Sequence, residues 1–308
     1  MTRRHVPWLL LALLVLIQIC YPLTTGVTRA RLTVATVVLG YLLSVGHALL
    51  TRGARTAAAL VAVATGGGFA IEALGVATGF PFGSYDYSGE LGPKLAGVPL
   101  IIPLAWTWMA WPAWLAAVRL TTPAGQLTTP AGRMPGTVSP AGRMPGTVST
   151  TGRTPGTLTP AGHVGRVALA TVGLAGWDLF LDPQMVAEGY WVWRDATPAL
   201  PGLPGIPVSN YLGWLLFAVL LMSALRPLAG PAVAVTGSRD DPMFALYLWT
   251  YFSSVLAHAV FLRLPASALW GAVGMAVVAV PLAVTLLRAR RRPADRPAPQ
   301  RRGVDTPA

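Results

Sequence analysis

Three carboxyl side chains stand in stretches that are otherwise hydrocarbon: Glu72, Asp178 and Asp182. Asp178 and Asp182 lie four residues apart where an apolar run closes, just ahead of Pro183. On a helix that spacing puts both on one face, one turn apart. Glu72 sits in Gly66-Gly-Gly-Phe-Ala-Ile-Glu-Ala-Leu-Gly75. Desolvation disfavours a carboxylate anion, and a carboxylic acid that keeps its proton near neutral pH is a general acid. The blander alternatives are an interfacial helix-end residue for Asp182 and an interhelical hydrogen bond for Glu72. Ionisable groups inside membrane-length apolar segments are nevertheless costly and mark function.

Aromatic residues flank the acids. One loop reads Gly79-Phe-Pro-Phe-Gly-Ser-Tyr-Asp-Tyr87 and leads through Leu95-Ala-Gly-Val-Pro99 to Trp106 and Trp108. A second reads Gly189-Tyr-Trp-Val-Trp193 and leads to Gly205-Ile-Pro-Val-Ser-Asn-Tyr-Leu-Gly-Trp214. Such rings form either a belt at the membrane interface or the lining of a site for an apolar, conjugated molecule or a cation made from it. His47 and His258 stand singly, without a His-x-x-x-His partner, and read as bonded core histidines rather than di-iron ligands. No Gly-x-Gly-x-x-Gly follows a strand, so a Rossmann nucleotide site is not supported. The single cysteine, Cys20, leaves no disulfide framework or cysteine-rich zinc site.

The elements that must hold these groups are membrane spans. Hydrophobic residues make up 54% of the 308, charged residues 11%, and mean hydropathy is +0.57. A soluble domain carries about 25% charged residues. Apolar runs of about 20 residues recur, the length that crosses a bilayer. The expected fold is an all-α, polytopic membrane helix bundle of about eight transmembrane helices, or seven. The spans fall near 8–24, 32–50, 57–78, 98–118, 166–182, 209–225, 243–262 and 267–287. They group as four within 1–120 and four within 166–287. Between them, 121–165 is a loop in which Pro-Ala-Gly-Arg-Met-Pro-Gly-Thr-Val recurs, and its composition predicts disorder. The basic tail, 288–308, is expected to be disordered too. Arg3-Arg4-His5 precede a first span expected to be retained, because no small-x-small cleavage site follows.

The net charge of +12 comes from arginines in loops and tail, not from a basic face interleaved with aromatics, so no nucleic-acid partner is expected. With both termini cytoplasmic, 18 of the 23 basic residues fall inside, as the positive-inside rule asks of a cell-membrane protein. All three acids then lie towards the outer ends of their spans and can share one pocket.

In these residues the sequence resembles a carotenoid biosynthesis membrane family that includes CruF-type carotenoid 1,2-hydratases and bisanhydrobacterioruberin hydratases. The likeness rests on Glu72 with the Gly79–Tyr87 loop, Leu95–Pro99, Trp177-Asp178 with Asp182-Pro183, Gly189 with Trp191 and Trp193, and Gly205-Ile-Pro207 with Asn210 and Gly213-Trp214. It implies addition of water across the terminal C1–C2 double bond of an acyclic carotenoid end, as in γ-carotene, lycopene or a C50 carotenoid. Such a reaction demands no redox cofactor and no metal. Asp178 or Glu72 would donate the proton, with Asp182 as partner or water-orienting base. Phe82, Tyr85, Tyr87, Trp106, Trp177, Trp191 and Trp193 would line the substrate site, and Asn210 would hold the water. The partners implied are the carotenoid, the bilayer and a downstream carotenoid glycosyltransferase. Alternatives from other classes are a membrane prenyltransferase (lycopene elongase), of whose motif Asp178-x-x-x-Asp182 is half, a proton-coupled transporter of a lipid-like molecule, and a carotenoid-binding scaffold.

Overall fold

The computed structural model describes residues 4–122, 160–230 and 236–291. The stretch 123–159 and the tail beyond Arg291 lie outside the described residues, while α6 begins at Pro160, so helix takes the last residues of the loop expected at 121–165. Among the described residues, eight helical rods form one bundle. They are α1 (Val6–Cys20), α2 (Gly26–Arg52), α3 (Ala54–Leu60) running through a π turn into α4 (Gly67–Thr78), α5 (Ile102–Thr121), α6 (Pro160–Ala187), α7 (Val208–Ala229), α8 (Asp241–Leu256) and α9 (Pro265–Arg291). Gly53 adopts φ +87°, a left-handed conformation open to glycine, and turns α2 directly back into α3. α9 carries Arg288, Arg290 and Arg291 in its last turn, beyond the expected end of that span.

Seven of these rods are long and apolar enough to cross a membrane, which makes the chain a multi-pass membrane protein. Leucines and valines such as Leu13, Leu16, Leu220, Leu269 and Val273 face outward, where lipid lies. The remaining rod, α5, is the most deeply set. Nearly every residue from Ile102 to Val118 is buried, including Trp106, Trp108, Trp111 and Trp114. It packs against α2, α4, α6, α8 and α9 and forms the core of the bundle. Small residues allow that close packing. A Cβ on Gly40 would come 2.5 Å from the Trp108 ring, and one on Gly176 would come 2.9 Å from the backbone of Gly274.

Two prolines inside helices explain two of the polar contacts. Proline lacks an N–H and frees the carbonyl four residues earlier. For Pro112 that carbonyl is Trp108 O, and Ser44 Oγ donates to it at 2.8 Å. For Pro183 it is Leu179 O, and Ser267 Oγ donates to it at 2.8 Å. The fifth span therefore does not stop at Asp182. α6 continues past Pro183 to Ala187, because a neighbouring helix satisfies the freed carbonyl.

The loops at the acid-bearing end are more ordered than aromatic loops lying on a headgroup layer. β1 (Tyr85–Tyr87) pairs antiparallel with β4 (Trp191–Trp193), in the register Tyr85 to Trp193 and Tyr87 to Trp191. A second hairpin joins β2 (Lys94–Leu95) to β3 (Val98–Pro99). The expected span at 98–118 consequently starts later, at Ile102.

Candidate active site

The β1/β4 ribbon has a period of two, so alternate side chains share a face. Tyr85, Trp191 and Trp193 are buried on the inner face and Tyr87 joins them, while Asp86 and Val192 point outward. On the inner face, Tyr87 meets Trp191 edge-on with centroids 5.4 Å apart, and Tyr85 lies 5.6 Å from Trp193. Trp193 Nε1 donates to Phe82 O at 2.9 Å and locks the two loops together. Outside, Arg194 grips Asp86 with two bonds of 2.8 Å. That guanidinium holds the Asp86 carboxyl below the usual carboxylate range.

Beneath the ribbon, Glu72 of α4 is buried and accepts three hydrogen bonds. Tyr85 and Tyr87 hydroxyls donate to Oε2 at 2.6 and 2.8 Å, and Trp106 Nε1 donates to Oε1 at 3.0 Å. Burial, then the neighbouring Glu72, push both tyrosine phenols above their ordinary range, so they serve as proton-bearing donors. The fixed ring of Trp106 stacks on Trp214 at 3.7 Å.

The aspartates meet at Asn210 of α7. Its amide Nδ2 donates to Asp178 Oδ2 at 3.0 Å and also to Asp182 Oδ2. One NH2 group thus spans the two carboxyls that helical spacing had put on one face. Asp178 Oδ1 has no hydrogen-bond partner among the described residues. Both acids are buried, and no cation pairs with either of them or with Glu72 among the described residues.

A cavity of about 40 Å³ opens between these groups, walled by Glu72, Asp182, Asn210, Phe82, Tyr85, Tyr87, Trp106, Trp191, Trp193 and Trp214. Nine of the eleven residues singled out from the sequence therefore converge there, from α4, α5, α6, α7 and both loops. Asp178 and Trp177 do not line it. Asp178 shares the Asn210 amide with Asp182, and Trp177 packs 5.2 Å from Trp108 and 6.2 Å from Trp214. The cavity has room for a water or two, so a larger guest must part the aromatic walls. Chemically, the arrangement offers a carboxyl pair held by a neutral amide, a third carboxyl held by neutral donors, and ring faces between them.

Sequence reasoning missed Trp214 as a wall residue, together with Thr33, Leu181 and Met185, which also line the cavity. The alternation Tyr-Asp-Tyr and Trp-Val-Trp was the available signal for the ribbon. Nothing local marked Thr33, which comes from α2. Both histidines are bonded core residues. His47 Nδ1 accepts from Trp111 Nε1 at 3.0 Å while Nε2 faces Arg239 O at 2.9 Å, and His258 lies against Ser267 and Gln184 at 2.8 and 3.1 Å.

The profile of a family described as carotenoid biosynthesis protein matches residues 32–139 and 146–283, well over half of the chain. The break in the match falls within the repeated stretch. The chain is also similar to a bisanhydrobacterioruberin hydratase of Haloarcula japonica, 34% identical over 157 residues, which amount to 50% of this chain and 40% of that protein. The match thus spans less than half of the relative's length. No solved structure matches.

Proposed function

The chain belongs to the carotenoid biosynthesis protein family, and we propose that it is a carotenoid 1,2-hydratase acting on acyclic end groups. In this reading the terminal trisubstituted alkene of lycopene, γ-carotene or a C50 carotenoid enters the cavity between the ribbon and α6. The neutral carboxyl of Asp182 gives its proton to C2. The π electrons form the new C2–H bond and leave a tertiary cation at C1. Faces of Trp191, Trp214 and Tyr87 stabilise that cation, as aromatic quadrupoles do. Water adds to C1 and loses a proton to the aspartate pair, which restores the acid and yields a tertiary alcohol.

The sequence alone left Asp178 and Glu72 as the favoured donors; we assign the donor role to Asp182 instead, because Asp182 lines the cavity and Asp178 does not. Asp178 is then the proton-sharing partner, since two like charges on one amide in a water-poor setting repel. Glu72, with both oxygens already accepting bonds, acts as the counter-charge that the cation meets across the pocket. Asn210 positions the pair through its amide, and its carbonyl oxygen is available to the water.

The observation that carries the reading is the Asn210 bridge between Asp178 and Asp182 at the wall of a ring-lined cavity within a membrane bundle. The relative named as a hydratase supports the same reaction class. The site end is taken to face outward, with both termini cytoplasmic and the protein in the cell membrane. The test is expression in hosts that accumulate lycopene or γ-carotene. A product heavier by one water, with a tertiary hydroxyl that a glycosyltransferase could use, is the expected result. Unchanged carotenoid in every host would overturn the proposal.

A further inference from the structure

Hydration consumes one water per turnover, and an end group seated in the acid cavity leaves little room to store any. A second chamber adjoins that cavity, with Thr33, Val37, Leu181 and Met185 common to the walls of both. It occupies about 100 Å³ between α1, α2, α5, α6 and α8. Several waters fit such a volume, provided polar groups hold them. Its lining differs from that of the acid cavity. Gln18, Tyr21, Thr36, Trp108, Gln184 and Ser254 face it. Thr36 and Trp108 are buried, and among the described residues neither Thr36 Oγ1 nor Trp108 Nε1 has a hydrogen-bond partner. Gln18 uses its carbonyl oxygen on Trp249, which leaves its NH2 group for a guest.

Resting on the hydratase reading, we infer that this chamber is a water-binding site that supplies the nucleophile to C1. A polyene is the wrong guest: covering unbonded donors with hydrocarbon costs on the order of a hydrogen bond each. Water satisfies them and has a short route past Thr33. The hydroxyl of Thr33 donates to Arg29 O at 3.0 Å and keeps its oxygen lone pairs for a passing water.

The test separates proton transfer from water capture. Full-length protein in liposomes is given lycopene in D2O, and both the hydrate and the deuterium in recovered lycopene are measured. When the cation forms but finds no water, it returns a proton to the aspartate pair and reverts to labelled alkene. Thr36→Val, which keeps the shape and removes the hydroxyl, is expected to lower hydration about tenfold, the equivalent of one hydrogen bond lost. Labelling of recovered substrate should persist or rise. Ser254→Leu, which fills the chamber by another route, should behave alike, and Thr36→Ser should restore hydration. Unaltered hydration in both Thr36→Val and Ser254→Leu would overturn the inference. So would joint loss of hydration and labelling in the two variants. Asp182→Asn is expected to lose both signals. Its failure to do so would remove the acid assignment and leave the chamber standing, whereas no hydration by the unaltered protein would sink both.

Discussion

The bundle buries carboxyl groups at both ends and treats them in opposite ways. At the end away from the ribbon, Asp240 is met by a cation: Arg52 reaches both of its oxygens at 2.8 Å. Gly237 N–H adds a third bond at 2.8 Å, and His47 Nε2 stands 3.6 Å away. That carboxyl is a structural anion whose charge is neutralised on the spot. At the ribbon end, the hydrogen-bond donors to Glu72, Asp178 and Asp182 among the described residues are neutral: two phenols, an indole and an amide. A carboxylate matched by a guanidinium ties two elements together, whereas carboxyls held by neutral donors keep their charge unmatched. The contrast separates an acid that holds helices together from the acids proposed to do chemistry.

Substitutions at the two ends should therefore fail differently. Asp182→Asn keeps shape and removes the proton donor. Hydrate formation should drop by about 10²–10⁴-fold, the usual worth of a general acid, with thermal stability in detergent little changed. Product chromatography beside a melting curve checks both, and a large stability loss with activity per folded molecule intact would break the comparison. Arg52→Ala should do the reverse. It strands a buried carboxylate, at a cost of about 3–5 kcal/mol, visible as a lowered melting temperature and poor yield. The surviving folded protein should hydrate normally.

The smallest effect is expected at the exposed Arg194–Asp86 clamp outside the ribbon. Arg194→Gln should change hydration by less than about twofold, and less still in high salt, because exposed pairs are screened. The pH dependence follows from Asp86, whose carboxyl is held low by Arg194. The clamp's contribution is fully present above the ordinary carboxylate range and fades only as pH falls through the lowered value. The ratio of wild-type to Arg194→Gln activity should thus stay flat from neutral to mildly acidic pH. A titration of that ratio near pH 6–7 would contradict it and point to another group.

Much of this molecule is legible one segment at a time. The lengths and apolar content of α1, α2, α7 and α9 announce spans because crossing hydrocarbon is a local requirement that each helix meets by itself. The spacing of Asp178 and Asp182 places them together for the same reason, since helical geometry repeats over four residues. α5 is a partial case. The sequence marked a span at 98–118, whereas the helix runs Ile102–Thr121, is not among the seven rods apolar enough to cross, and lies buried among other helices.

What joins residues far apart in sequence was decided only by the fold. The Asn210 amide falls between the two aspartates because α7 packs on α6 with one particular rotation, and composition does not encode rotation about a helix axis. Tyr85 finds Trp193 across more than a hundred residues because two loops pair backbone to backbone. Asp240, unremarkable in the chain, is buried because Arg52 arrives from another helix. Hydropathy ranks segments by their affinity for lipid, whereas contacts between segments depend on shape and on hydrogen bonds left over after each helix has satisfied its own backbone.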